Sequence, residues 1–245
     1  MSLKAPYLAD AGIEASANTL LADCARRNRI DVRPPVPVEE ILEDHLGLHL
    51  GFDDLRAKLG VPDVLGALWI EGAEVTVDQT LDPDEHPSAL TRYRFTLGHE
   101  IGHWDLHRGL VLAQRLQADL FQKSSGPSII CRTSQRKEPI EWQADAFAAA
   151  LLMPRSEVAA HWQRLIGPER LKVSELRGRA GVLLAAASAR PSHEPRARHD
   201  ALIEFFLRPM AEAFEVSPPA MRIRLEQLGF IVHDIDSTMS MFEAV

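Results

Sequence analysis

The chain has 245 residues, 46% hydrophobic and 25% charged, with a net charge of −8 and a pI of about 5.7. That composition builds a sizeable core without staples and suits one large domain, or one domain with a small appendage. The acidic balance argues against non-specific nucleic-acid binding, which depends on neutralising many phosphates. Cys24 and Cys131 are too few for a disulfide framework.

The opening run MSLKAPYLADAGIEAS has no apolar core of a secretory leader. No stretch approaches the ~18 uninterrupted apolar residues that a membrane helix requires. The expected compartment is therefore a reducing cytoplasm, with both cysteines as buried thiols.

In chain order, the first predicted element is a helix over 11–28, where Ala15, Leu20, Leu21, Cys24 and Ala25 recur at helical spacing. Pro34, Pro35 and Pro37 break the chain, and a helix over 38–46 stops at Gly47. Leu48, Leu50 and Phe52 alternate as in a strand, and Val64–Ile70 with Glu74–Val77 read as an antiparallel hairpin turning at Glu71 and Gly72. Asp82–Pro87 is a polar loop, after which Ser88 is the expected N-cap of a long helix over 89–108. Leu110–Phe121 continues or restarts that helix, and Lys123–Glu138 reads as an exposed loop.

A strong helix follows from Pro139 to Leu152, with proline in the first turn where its missing N–H costs nothing. Two helices are predicted over 155–165 and 168–186, then a linker at Arg190–His199. Asp200–Leu207 is helical and Pro209 interrupts or restarts it. Ser217-Pro218 opens a last helix with a Met221, Leu225, Leu228 stripe, closed by Gly229, and Phe230–Val232 suits a short strand. Arg222 and Arg224 are expected to be exposed on this segment.

The chemistry sits at Thr96-Leu97-Gly98-His99-Glu100-Ile101-Gly102-His103-Trp104. Residues four apart on a helix face the same way, so His99 and His103 can reach one Zn²⁺. Glu100 points to a neighbouring sector, where it meets a water rather than the metal, as a general base must. A third ligand has to come from elsewhere, because Leu106 and Gly109 stand where a metzincin needs Gly and His. Glu141 and Asp145 share one side of the apolar helix Glu141-Trp142-Gln143-Ala144-Asp145. The economical assignment is Glu141 as ligand and Asp145 as hydrogen-bond partner of a ligating imidazole. Tyr93, Arg94, His107 and His161 are all conceivable stabilisers of an oxyanion or contacts to substrate, with a structural role favoured for His107.

The runs RFTLGHEIGHWDLH and EWQADAFAAALLMP resemble the two motifs of ImmA/IrrE-type metallopeptidases. PVPVEEILEDHLGLHL is similar to the family's helix-strand entry, and FEVSPPAMRIRLEQLGFI to its closing helices. The long gap between His103 and Glu141 departs from the pattern and suggests an extra loop near the cleft, its Lys123–Lys137 part affecting substrate access. The resemblance implies an α+β, zincin-like minimal metallopeptidase, with a small antiparallel sheet packed on helices and a C-terminal helical, winged-helix-like segment. The expected division is a zinc peptidase domain over 1–189 and the helical segment over 190–245. It also implies a zinc endopeptidase that cleaves a cognate helix-turn-helix repressor and so relieves repression, often in stress responses. The competing expectation is a DNA- or protein-binding regulatory module with a non-catalytic metal site, and a third is a general peptidase. Glu212, Glu215 and Glu226 weaken direct nucleic-acid binding.

Overall fold

The computed structural model describes residues 5–118, 126–132, 138–173, 175 and 195–234, without the side chains of 115–118 and 195–199. The parts of the expected 123–138 loop, 168–186 helix and 190–199 linker that fall between these segments lie outside the described residues. The chain divides into two compact units, Met1–Pro154 and Arg155–Val245.

In the first unit, α1 (Asp10–Arg27) buries Ile13, Ala17, Leu20, Leu21 and Cys24 along one stripe. A helical turn, α2 (Val38–Glu40), runs on as a π-helical turn over Ile41–His45, and Gly47 at φ 67° ends it. Then come β1 (His49–Asp53), the short helix α3 (Leu55–Leu59), β2 (Val64–Trp69) and β3 (Glu74–Asp78). The sequence pattern does not separate α3 from the turns around it; Asp54 caps it by accepting from the Ala57 N–H at 2.9 Å. The 29-residue α4 (Leu90–Ala118) follows, then β4 (Ile129–Arg132) and α5 (Pro139–Leu152).

The architecture is α+β, a small sheet packed on helices, as expected. The sheet order is β1-β3-β2-β4. It is mixed rather than wholly antiparallel: β2 pairs antiparallel with β3 and β4, whereas β1 and β3 run parallel in register His49↔Glu74 to Asp53↔Asp78. The cause is the crossover through α3 and β2, which returns β3 beside β1 in the same direction. Near-continuous burial along β2 and β3 marks strands covered on both faces. The α4 helix packs on β2, β3 and β4, and α3 packs on β2 and β3, where Leu55, Val64 and Ala67 form a small core. Beyond α4 lies α5, and α1 packs on α5.

Two local expectations change. Ser88 lies inside a 3₁₀ turn, Pro87–Ala89, that leads into α4, so it is not the cap. The stretch expected as a loop contains β4, whose four residues alternate buried and half-buried on the edge of the sheet.

The second unit contains α6 (Arg155–Leu165), β5 (Leu171–Lys172), α7 (Pro195–Phe214), α8 (Pro218–Gln227) and β6 (Ile231–Val232). Leu171 and Lys172, expected in a helix, pair parallel with Ile231 and Val232. A partner so distant in sequence leaves no local signal. Pro209 is carried inside α7 instead of breaking it, and α7 already begins at Pro195, within the expected linker. Ser217 caps α8, its hydroxyl oxygen accepting from the Ala220 N–H at 3.3 Å. Arg222 and Arg224 are not exposed as expected. Arg224 is buried, and Arg222 is gripped by Glu204 at 3.0 Å, Glu226 at 3.1 Å and Asp200 at 3.5 Å.

Candidate metal centre

Two helices meet here because both present small residues where they touch. A Cβ on Gly102 would lie 3.1 Å from the Phe147 Cβ and 3.2 Å from the Ala144 backbone, and one on Gly98 would lie 3.3 Å from the Ala148 Cβ. Gly98 and Gly102 are one turn apart on α4, and Ala144 and Ala148 one turn apart on α5. This seam lets the backbones close up, and it brings the first turn of α5 beside the middle of α4.

His99 and His103 stack one turn apart on α4, and Glu141 reaches them from the first turn of α5. The Nε2 atoms of the two rings are 2.9 Å apart. Glu141 Oε2 lies 3.2 Å from His99 Nε2, and Oε1 lies 3.6 Å from His103 Nε2. A tetrahedral Zn²⁺ bonded at about 2.0–2.1 Å separates its ligands by about 3.3 Å. The three distances bracket that value, so the donor set fits such an ion without rearrangement. Among the described residues, this is the group of three whose donor atoms converge as metal ligands do.

The electrostatics agree. Burial pulls the His103 imidazole down to about 4, so it is neutral at pH 7. At His99 burial opposes the charge, but Cys131, Asp145 and Glu141 favour it and lift the ring well above its ordinary range. The carboxylates carry this effect, because burial also pushes the Cys131 thiol up and keeps it neutral. Burial pushes Glu141 up too, yet the His103 and His99 rings beside its oxygens outweigh it and hold the carboxyl at about 2. A proton on His99 thus shares the space between two nitrogens and a carboxylate, where a cation would be still better held.

Asp145 accepts the His99 Nδ1–H at 2.9 Å, which turns Nε2 towards the cluster. Glu100 is fully buried, and among the described residues neither of its carboxylate oxygens has a hydrogen-bond partner. Burial raises its carboxyl to about 8. Strand β2 passes so close that a Cβ on Gly66 would lie 2.7 Å from Glu100 Oε1.

The remaining candidates divide. His107 is brought in: it is buried one turn beyond His103, and their Nδ1 atoms are 3.0 Å apart. Tyr93 stacks on Phe52, and burial together with a hydrogen bond to Glu39 pushes its hydroxyl well above the ordinary phenol range. The Arg94 guanidinium donates to the Val36 carbonyl at 2.7 Å. His161 belongs to the second unit, where its Nδ1–H donates to the Glu157 carbonyl at 3.0 Å and its ring meets Phe214 edge-on.

Three neighbours escape a reading of the sequence. Gly66 leaves no signal beyond a glycine in a strand, which does mark close approach. Cys131, hydrogen-bonded to His99, sits in a stretch expected as loop. Gln143, between Glu141 and Asp145 in sequence, is buried and bonds His107 at 2.8 Å.

Residues 84–192 match the family model described as IrrE N-terminal-like domain, Peptidase_M78. The match takes in both helices of the centre and continues past Pro154 into the second unit. No curated protein matches the chain. The cluster and the match point the same way: residues 84–192 are similar to the IrrE N-terminal-like metallopeptidase domain, and the three converging donors lie within that span.

Proposed function

We propose that the chain is a zinc-dependent endopeptidase acting in the cytoplasm on a cognate helix-turn-helix repressor, and that it thereby relieves repression. In this reading His99, His103 and Glu141 hold Zn²⁺, Asp145 orients His99, and Glu100 is the general base. The observation that carries it is the pair of fully buried Glu100 oxygens, without a partner among the described residues, beside three converging donors. A buried carboxylate left without partners is costly, and it survives where a reacting molecule supplies them.

When bound, zinc supplies Lewis acidity towards a carbonyl and acidifies water to near neutrality. Glu100 takes the proton of the attacking water on its oxygens. In the next step the same carboxyl hands that proton to the leaving amine. Gly66 leaves the room in which the carboxylate sits, and Asp145 keeps the His99 ring from rotating.

The repressor as substrate and the regulatory role rest on the family resemblance. Free, buried Cys24 and Cys131 suit a reducing compartment, and among the described residues no helix is long and apolar enough to cross a membrane. The binding-module alternative is disfavoured by Arg222, whose charge is already met by three acids. Co-expression of the chain with each neighbouring regulator tests the reading. Wild type is expected to cleave one of them, and Glu100→Gln to retain zinc and leave it intact. Cleavage by Glu100→Gln at the wild-type rate, or of every unfolded protein offered, would contradict it.

A further inference from the structure

We propose that His107 and Gln143 are positioning residues: they form a buried relay that fixes which nitrogen of His103 is offered to the metal. The proposal rests on the reading of His103 as a ligand.

The relay can be followed from its far end. The Gln143 side-chain amide donates from Nε2 to the Pro6 carbonyl at 2.8 Å. A peptide carbonyl only accepts, and a prolyl residue offers no N–H, so the amide nitrogen has to face it. The segment is also held by the Tyr7 ring, which lies parallel to Trp142 with centroids 6.4 Å apart. With the nitrogen committed to Pro6, the amide oxygen is turned towards His107 Nε2 at 2.8 Å. An oxygen acceptor there requires His107 to carry its hydrogen on Nε2.

His107 is fully buried, and its polar contacts are the uncharged Gln143 and His103, so its ring carries a single hydrogen. Its Nδ1 is therefore a bare acceptor. The 3.0 Å contact between the two Nδ1 atoms then needs its hydrogen from His103. With that hydrogen on Nδ1, His103 presents an unprotonated Nε2 to the space it shares with His99 and Glu141. A carbonyl three links away thus selects the tautomer that a metal requires.

The opposite amide orientation reverses every link. The Gln143 oxygen would face the Pro6 oxygen, His107 would take its hydrogen on Nδ1, and His103 would be driven to hold one on Nε2, against the ligand position. Ligating histidines are commonly oriented by a carboxylate, as His99 is by Asp145. The two histidines of this centre are thus held by different means, one by an anion and one by a neutral chain.

Long-range ¹H–¹⁵N correlation spectra of the metal-free, ¹⁵N-histidine-labelled chain read the tautomers directly. The expected pattern is Nδ1–H on His103 and Nε2–H on His107. Zn²⁺ titration against a chelating dye supplies the second readout. His107→Phe and Gln143→Met remove the acceptor and are expected to weaken Zn²⁺ binding by about 10- to 100-fold. His107→Asn sets an amide oxygen near the former Nδ1 and is expected to restore most of the affinity. A hydrogen on His103 Nε2 in the wild-type spectrum would overturn the relay even if no variant folds, and so would unchanged Zn²⁺ affinity in a folded His107→Phe. Wild type that shows the expected tautomers but takes up no Zn²⁺ would instead overturn the metal reading.

Discussion

Gly66 decides where the Glu100 carboxylate can sit. Its φ is ordinary, so the constraint is space alone: a methyl group there would meet Glu100 Oε1 at 2.7 Å and the Thr96 Cγ2 at 2.9 Å. Gly66→Ala is expected to displace the carboxylate while the ligands stay in place. A shift of about 1 Å in a catalytic group costs on the order of 100-fold in rate. Steady-state kinetics with zinc analysis of the same samples checks this; full activity in Gly66→Ala would show that the carboxylate has room elsewhere. Glu100 also has a consequence for stability. Its carboxyl is raised to about 8 in the metal-free fold from an ordinary 4.5. Between those two pH values the unfolded chain has lost the proton and the folded chain has kept it. The folded state then binds more protons, so stability falls as pH rises through that window, by about 1.4 kcal/mol per pH unit. Glu100→Gln removes this dependence. In chelator-treated samples its stability advantage over wild type is expected to grow from pH 5 to 8, and parallel denaturation curves would count against the burial argument.

At the scale of elements, the centre depends on how closely α4 and α5 approach. Gly102 meets backbone atoms of Ala144, which cannot swing aside as a side-chain tip can. Gly102→Ala is expected to push the helices apart, lower stability by about 1–3 kcal/mol and weaken metal binding, since His103 and Glu141 are on opposite sides of the seam. Thermal denaturation and zinc titration check it, and a variant with wild-type values for both would refute the seam. Much of this pair of elements is legible in the chain. The four-residue spacing of His99 and His103 and the apolar run after Pro139 mark two buried helices, and the structure has α5 at the expected Pro139–Leu152. What local pattern does not carry is the closeness of the two backbones, which needs Gly98, Gly102, Ala144 and Ala148 read as a matched set. It does not carry β4 either, whose four residues become a strand only through pairing with β2.

For the whole molecule, local signals identify elements better than their arrangement. Alternation finds β1, and two apolar runs around a short turn find β2 and β3, but the parallel pairing of β1 with β3 follows from the route of the chain through α3. Pairing of Leu171 with Ile231, the links from Gln143 to Pro6, and the acids around Arg222 all join residues far apart in sequence. The chain resolves into two units, and the proposed ligands, base and orienting carboxylate all lie in Met1–Pro154. The central claim is that this unit folds α4 and α5 together around a single cation. Diffraction from zinc-loaded crystals at the zinc absorption edge tests it most directly. The expected result is one anomalous peak per chain, about 2.0–2.1 Å from the Nε2 atoms of His99 and His103 and in bonding range of a Glu141 oxygen. A peak elsewhere, or none at this place in zinc-replete protein, would contradict the account.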